Sequence, residues 1–80
     1  MHQIRVDVML KPEILDPQGQ AVANALPHLG FGTPVSLRIG RHVELALEAE
    51  SAEAALEQAT KIADTLLANP VIEDYTVRLA

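Results

Sequence analysis

Apolar and polar side chains take turns from Ile4 to Lys11: Ile4, Val6, Val8 and Leu10 fall on one side, Arg5, Asp7, Met9 and Lys11 on the other. A period of two is that of a strand with one buried face. The period returns at Val35, Leu37 and Ile39, which alternate with Ser36 and Arg38, and again at Val43, Leu45 and Leu47, which alternate with Glu44, Ala46 and Glu48. Gly40-Arg41 stands between these two runs and predicts a hairpin with a glycine-first type II′ turn. Near the C-terminus Val71, Tyr75, Val77 and Leu79 share one face while Asp74, Thr76 and Arg78 take the other, a fourth strand.

Two stretches follow the helical period instead. In the later one Ser51 stands where a cap is needed and Glu53 lies in the first turn. Ala55, Leu56, Ala59, Ile62, Ala63, Leu66 and Leu67 form the apolar stripe. Asn69-Pro70 ends it, because the residue before a proline is driven out of helical geometry. Glu57 and Lys61 make a solvated pair on the outer face. In the earlier stretch Asp16 is the cap, Pro17 takes the first helical position, and Ala21, Val22, Ala25, Leu26 and Leu29 form the stripe. Pro27 has no N–H for the Ala23 carbonyl, so this helix should stop or kink near Leu26. The Gly30-Phe31-Gly32 stretch is then its C-cap and loop. Gly19 in the first turn either is merely tolerated or leaves room for the close approach of a backbone or ligand.

The order strand, helix, strand, strand, helix, strand is that of the split βαβ, ferredoxin-like plan. The expectation is an α+β two-layer sandwich, one domain over residues 1–80: a four-stranded, mainly antiparallel sheet with two helices on one face. The other face, with Arg5, Asp7, Met9, Arg38, Glu44, Ala46 and Thr76, is left for water or another subunit.

Eighty residues allow one small core, and a domain of this size buries only about 60% of the surface its unfolded chain exposes. Partners are therefore expected. With no cysteine, disulfides, thiolate metal sites and a cysteine nucleophile are excluded, which fits a reducing cytoplasm. The opening residues intersperse charges among apolar positions and form neither a signal peptide nor a membrane span, so the expected location is cytoplasmic and away from membranes. Eleven acidic against six basic residues give a net charge of −5, which opposes binding to a phosphate backbone. Phe31 and Tyr75 are the only aromatic residues, and no base-stacking platform follows from them.

Catalytic chemistry finds little to use. Ser36 and Ser51 lie outside any G-x-S-x-G elbow, and Gly30-Phe31-Gly32 lacks the Gly-Lys-Ser/Thr of a phosphate loop. His2, His28 and His42 have no metal-ligand spacing. His42 and Glu44 share a strand face as polar neighbours, and Glu73 and Asp74 point to opposite faces of theirs. No catalytic, cofactor-binding or metal-binding residue is expected.

Three segments, "LKPEILDPQGQAV", the run Leu37-Arg38-Ile39-Gly40-Arg41-His42-Val43-Glu44-Leu45, and "LLANPVIEDYTV", resemble the small PurS subunits of phosphoribosylformylglycinamidine (FGAM) synthase. The resemblance spans essentially the whole chain. It implies the same order of elements and a non-catalytic, bridging role in purine biosynthesis. The synthase converts formylglycinamide ribonucleotide, ATP, glutamine and water to FGAM, ADP, phosphate and glutamate. A glutaminase subunit, PurQ, supplies ammonia, and a large subunit, PurL, holds ATP and Mg²⁺, so no cofactor is expected in this chain. Implied partners are PurL, PurQ and further copies of the chain, as a homodimer or homotetramer. Candidate interface residues are Asp16, Gln18, Gly19, Arg38, Gly40, Asn69, Glu73 and Asp74. An ACT-type domain that binds an amino acid near Gly19, and a general oligomerising scaffold, are the alternatives from other classes.

Overall fold

The computed structural model describes residues 1–80. Strand β1 runs from His2 to Leu10, helix α1 from Pro17 to Ala25, β2 from Arg41 to Leu47, α2 from Ala52 to Ile62, and β3 from Glu73 to Leu79. The sheet has the order β2-β1-β3, and both pairings are antiparallel. Val6 of the central strand lies opposite Val43 on one side and Val77 on the other, so equivalent faces of all three strands coincide.

One face of that sheet makes the core. Ile4, Val6 and Val8 are buried under Ala55, Ala59 and Ala63 of α2 and its extension, with Ala68 at the margin. Alanine at these helical positions lets the helix backbone approach the strands closely, so the core is dense but small. Val43, Leu45, Leu47, Tyr75 and Val77 flank it half-buried, because α2 alone is too narrow to cover three strands.

The helix ends follow their local chemistry. Asp16 caps α1 by accepting from the Gly19 amide at 2.9 Å, with Pro17 at the first position. Ser51 caps α2 through the Ala54 amide at 3.1 Å. The helix α1 stops at Ala25, and a 3₁₀ turn at Pro27–Leu29 closes on Gly30 in the left-handed region, φ 91°. The expected stop near Leu26 is what Pro27 produces. A single π turn over Ala63–Leu67 extends α2, with the Ala68 amide donating to the Ala63 carbonyl.

The four-stranded sheet with two helices on one face is not what the chain forms: the sheet has three strands. Residues 35–39 alternate as predicted but pair with no strand, and Gly40-Arg41 makes no hairpin. Gly40 lies so tightly over Val8 and Met9 that a Cβ would collide with the Val8 carbonyl oxygen. It therefore runs straight into β2 without turning back. Helix α1, carried on the same segment, makes no broad packing contact with any strand, and α2 is the helix that covers the sheet.

Candidate functional site

A cavity of about 340 Å³ opens where the start of α1, the entry to β2 and the start of β3 converge. Its walls include Asp16, Gln18, Gly40, Arg41 and Glu73. Asp16 is placed by the α1 cap, Gly40 by its flat passage over β1, and Glu73 by the first residue of β3. Four of the eight residues expected at an interface, Asp16, Gln18, Gly40 and Glu73, thus meet around one hollow.

Two clusters of polar groups build its walls. The Asp16 carboxylate accepts from the Gly19 amide through Oδ1 and from the Ile39 amide through Oδ2, the latter at 2.8 Å. Those bonds, Gly19 first and Ile39 second, hold the carboxyl below its ordinary pKa, with the Arg38 charge assisting. Opposite it, Arg41 grips Glu73 with both terminal nitrogens, Nη1 to Oε2 at 2.9 Å and Nη2 to Oε1 at 3.1 Å. Its Nη2 also donates to the Leu67 carbonyl at the end of the π turn, at 2.8 Å. Glu73 retains only 9% of its exposure; Arg41, joined by the Asn69 amide at 2.7 Å, draws its pKa down. No buried side-chain nitrogen or oxygen lacks a partner. These groups brace three elements against one another, and no nucleophile lies among them.

The remaining expected residues divide. Gly19 is buried beside Asp16, and Arg38 stands exposed next to the same carboxylate. Asn69 makes the turn into β3: its Oδ1 accepts from the Val71 amide and its carbonyl from the Ile72 and Glu73 amides. Asp74 is exposed on the opposite sheet face, beside Asp7 and Thr76. On that face Asp7 accepts from Arg78 and lies 2.6 Å from His42 Nδ1; the His42 bond, then the Arg78 bond, lowers its pKa. No group of side chains suits a metal ion.

The family described as PurS, phosphoribosylformylglycinamidine (FGAM) synthase, matches residues 3–80. The chain belongs to the PurS family of FGAM synthase. Among curated relatives, the PurS subunit of Mycobacterium leprae is 47% identical over 72 residues, covering 90% of this chain and 87% of that one. The Synechocystis PurS subunit is 43% identical over 74 residues, 92% of this chain and 74% of that one. In three dimensions the chain is similar to one in the structure of PurLQS from Thermotoga maritima, with a TM-score of 0.90, 33% identity, and coverage of 99% and 96%.

Within the segments that carry the PurS resemblance, sequence reasoning missed Arg41. It stood as a turn residue, yet it ties β2 to the ends of α2 and β3. Glu73 was read with Asp74 as one of two charges on opposite faces of the last strand, and as an interface candidate, not as the partner of Arg41. The period of two that placed Tyr75, Val77 and Leu79 on the inner face also placed Glu73 there, and a carboxylate at such a position asks for a cationic partner.

Proposed function

We propose that the chain is the non-catalytic subunit of FGAM synthase that holds the glutaminase (PurQ) and ATP-binding (PurL) subunits in one assembly and so supports ammonia transfer between them. The observation that carries this reading is the likeness, over 99% of the chain, to a component of the Thermotoga maritima PurLQS structure. The bracing geometry supports it: Asp16, Arg41 and Glu73 are all bound to the chain's own groups. ATP and Mg²⁺ belong in this reading to the large subunit, and the setting is the cytoplasm; no helix is long and apolar enough to cross a membrane. The cavity gives an ACT-type ligand no free charged anchor. Self-association as a homodimer or homotetramer belongs to the same reading, supported by the apolar surface left half-covered beside α2.

Coexpression with PurL and PurQ from the same source tests it. The three should copurify, and glutamine-dependent FGAM formation should require this chain while the chain alone turns over neither ATP nor glutamine. Full glutamine-dependent activity from PurL and PurQ without it would defeat the reading.

A further inference from the structure

β3 is an edge strand, paired only with β1, and its backbone divides by parity. The Lys11 amide donates to the Ile72 carbonyl and the Ala80 amide to the Gln3 carbonyl, so in this register the even-numbered residues of β3 face β1. Bonding directions alternate along an antiparallel strand, and the N–H and C=O groups of Tyr75, Val77 and Leu79 therefore point to the open side. No turn or loop bond uses them. Free edges are ordinarily blunted by a proline, a lysine or a bulge. Glu73–Leu79 holds no proline and no lysine, and its register against β1 is unbroken.

The side chains along this edge define what fits it. Tyr75 and Val77 are half-buried beside the core and Leu79 is 43% exposed, so the inner side suits apolar residues at alternate positions of a neighbouring strand. The unpaired charges at the same edge are acidic. Asp74 lies exposed on the outer face, and Asp64, in the π turn that extends α2, receives only the Tyr75 hydroxyl, at 3.4 Å. Neither carboxylate is in an ion pair, whereas Arg78, the one cation of β3, is bound to Asp7.

We infer that the β3 edge receives an extended, basic segment of a partner subunit, which joins the sheet as a fourth strand. The open N–H and C=O groups of Tyr75, Val77 and Leu79 supply the main-chain bonds, and alternate apolar side chains of the segment settle against Val77 and Leu79. A Lys or Arg on the segment answers Asp74, and a second one answers Asp64. A second copy of this chain fits less well, because it brings the same acids and the same net charge of −5. The inference rests on the subunit reading above and names one surface through which the chain holds its partner subunits.

Amide hydrogen exchange resolved to single residues tests it, on the chain alone and on the chain coexpressed with PurL and PurQ. Alone, the Tyr75 and Val77 amides should exchange about 100-fold faster than those of Thr76 and Arg78, which bond β1; in the assembly they should slow by about the same factor. Asp74→Lys, at an exposed side chain with no partner, should leave the melting curve unchanged and weaken capture of the partner subunits about 10-fold at low salt. Tyr75 and Val77 amides already protected in the chain alone would give the edge to a second copy and overturn the inference. So would amides that stay unprotected in an active assembly, or an Asp74→Lys chain that assembles as tightly as the wild type. An active assembly in any of these cases leaves the subunit reading intact, whereas a chain that neither copurifies with PurL and PurQ nor supports their activity overturns both.

Discussion

The Asp16 carboxylate bonds the amide of Ile39, 23 residues farther along the chain, at 2.8 Å. One side chain thus caps α1 and fastens that helix to the segment leading into β2. Asp16→Ala should cost more than an isolated cap does, lowering Tm by upwards of about 4–8 °C. Hydrogen exchange gives the specific readout: the Ile39 amide should lose protection, while core amides such as Val6 keep theirs relative to global stability. Equal loss at both would mean that the long-range bond does not anchor the segment leading into β2.

Gly19→Ala should destabilise the chain. A Cβ there would lie 2.9 Å from the Asp16 carboxyl carbon and 3.0 Å from the Leu37 carbonyl oxygen. The close neighbours foreshadowed by this glycine are the chain's own Leu37 backbone and its own Asp16 cap. Steric conflict of about 1–3 kcal/mol outweighs the gain of up to about 1 kcal/mol from better helix propensity. Urea denaturation decides, and a midpoint at or above that of the wild type would refute the crowding.

Glu73→Gln should lose about 1–2 kcal/mol, the lower part of the range for a charge-assisted bond, because the Arg41 side chain is half open to water. Arg41→Met should cost more than Glu73→Gln, since it leaves a nearly buried carboxylate without its cation. Thermal melts of both variants and the double mutant would show this as coupling, and additive losses would contradict a shared bond.

Acid should unfold the protein through a defined set of carboxyls. Asp7, Asp16 and Glu73 all titrate below their ordinary values of 3.8, 3.8 and 4.5 in the folded chain. Their stabilisation is therefore fully present above those values and is lost as pH falls through the folded ones. Tyr75 has the opposite sign. Desolvation, then the Asp64 charge, raises it above 10.0, so its contribution is present below that value and lost as pH rises through the folded one. Stability measured against pH should be flat between about pH 6 and 9 and fall on either side. In Glu73→Gln the acid limb should be shallower, and an unchanged slope there would exclude Glu73 from the set.

Ala59→Leu should destabilise by about 1–3 kcal/mol, because Ala59 is fully buried where α2 meets the strands and the added atoms must part them. Chemical denaturation would show it, and a neutral effect would mean the helix rides farther from the sheet.

By itself the sequence determined what depends on neighbours along the chain. Alternation at Ile4, Val6 and Val8 specified the buried side of β1; Asp16-Pro17 and Ser51 specified where the helices start; Pro27 specified where the first one ends. Each follows from local sterics, capping or period, and the three segments carrying the PurS resemblance are local in the same sense. Only the tertiary structure decided what residues 35–39 do. Their period of two is the same whether a strand pairs within its chain or with none, and a Gly-Arg pair permits a turn without requiring one. The close passage of Gly40 over Val8 and Met9 keeps the chain straight there, and neither residue is near Gly40 in sequence. Tertiary structure likewise decided the Arg41–Glu73 pair, because a contact between residues 32 apart depends on β2 and β3 flanking β1, an arrangement that periodicity does not encode.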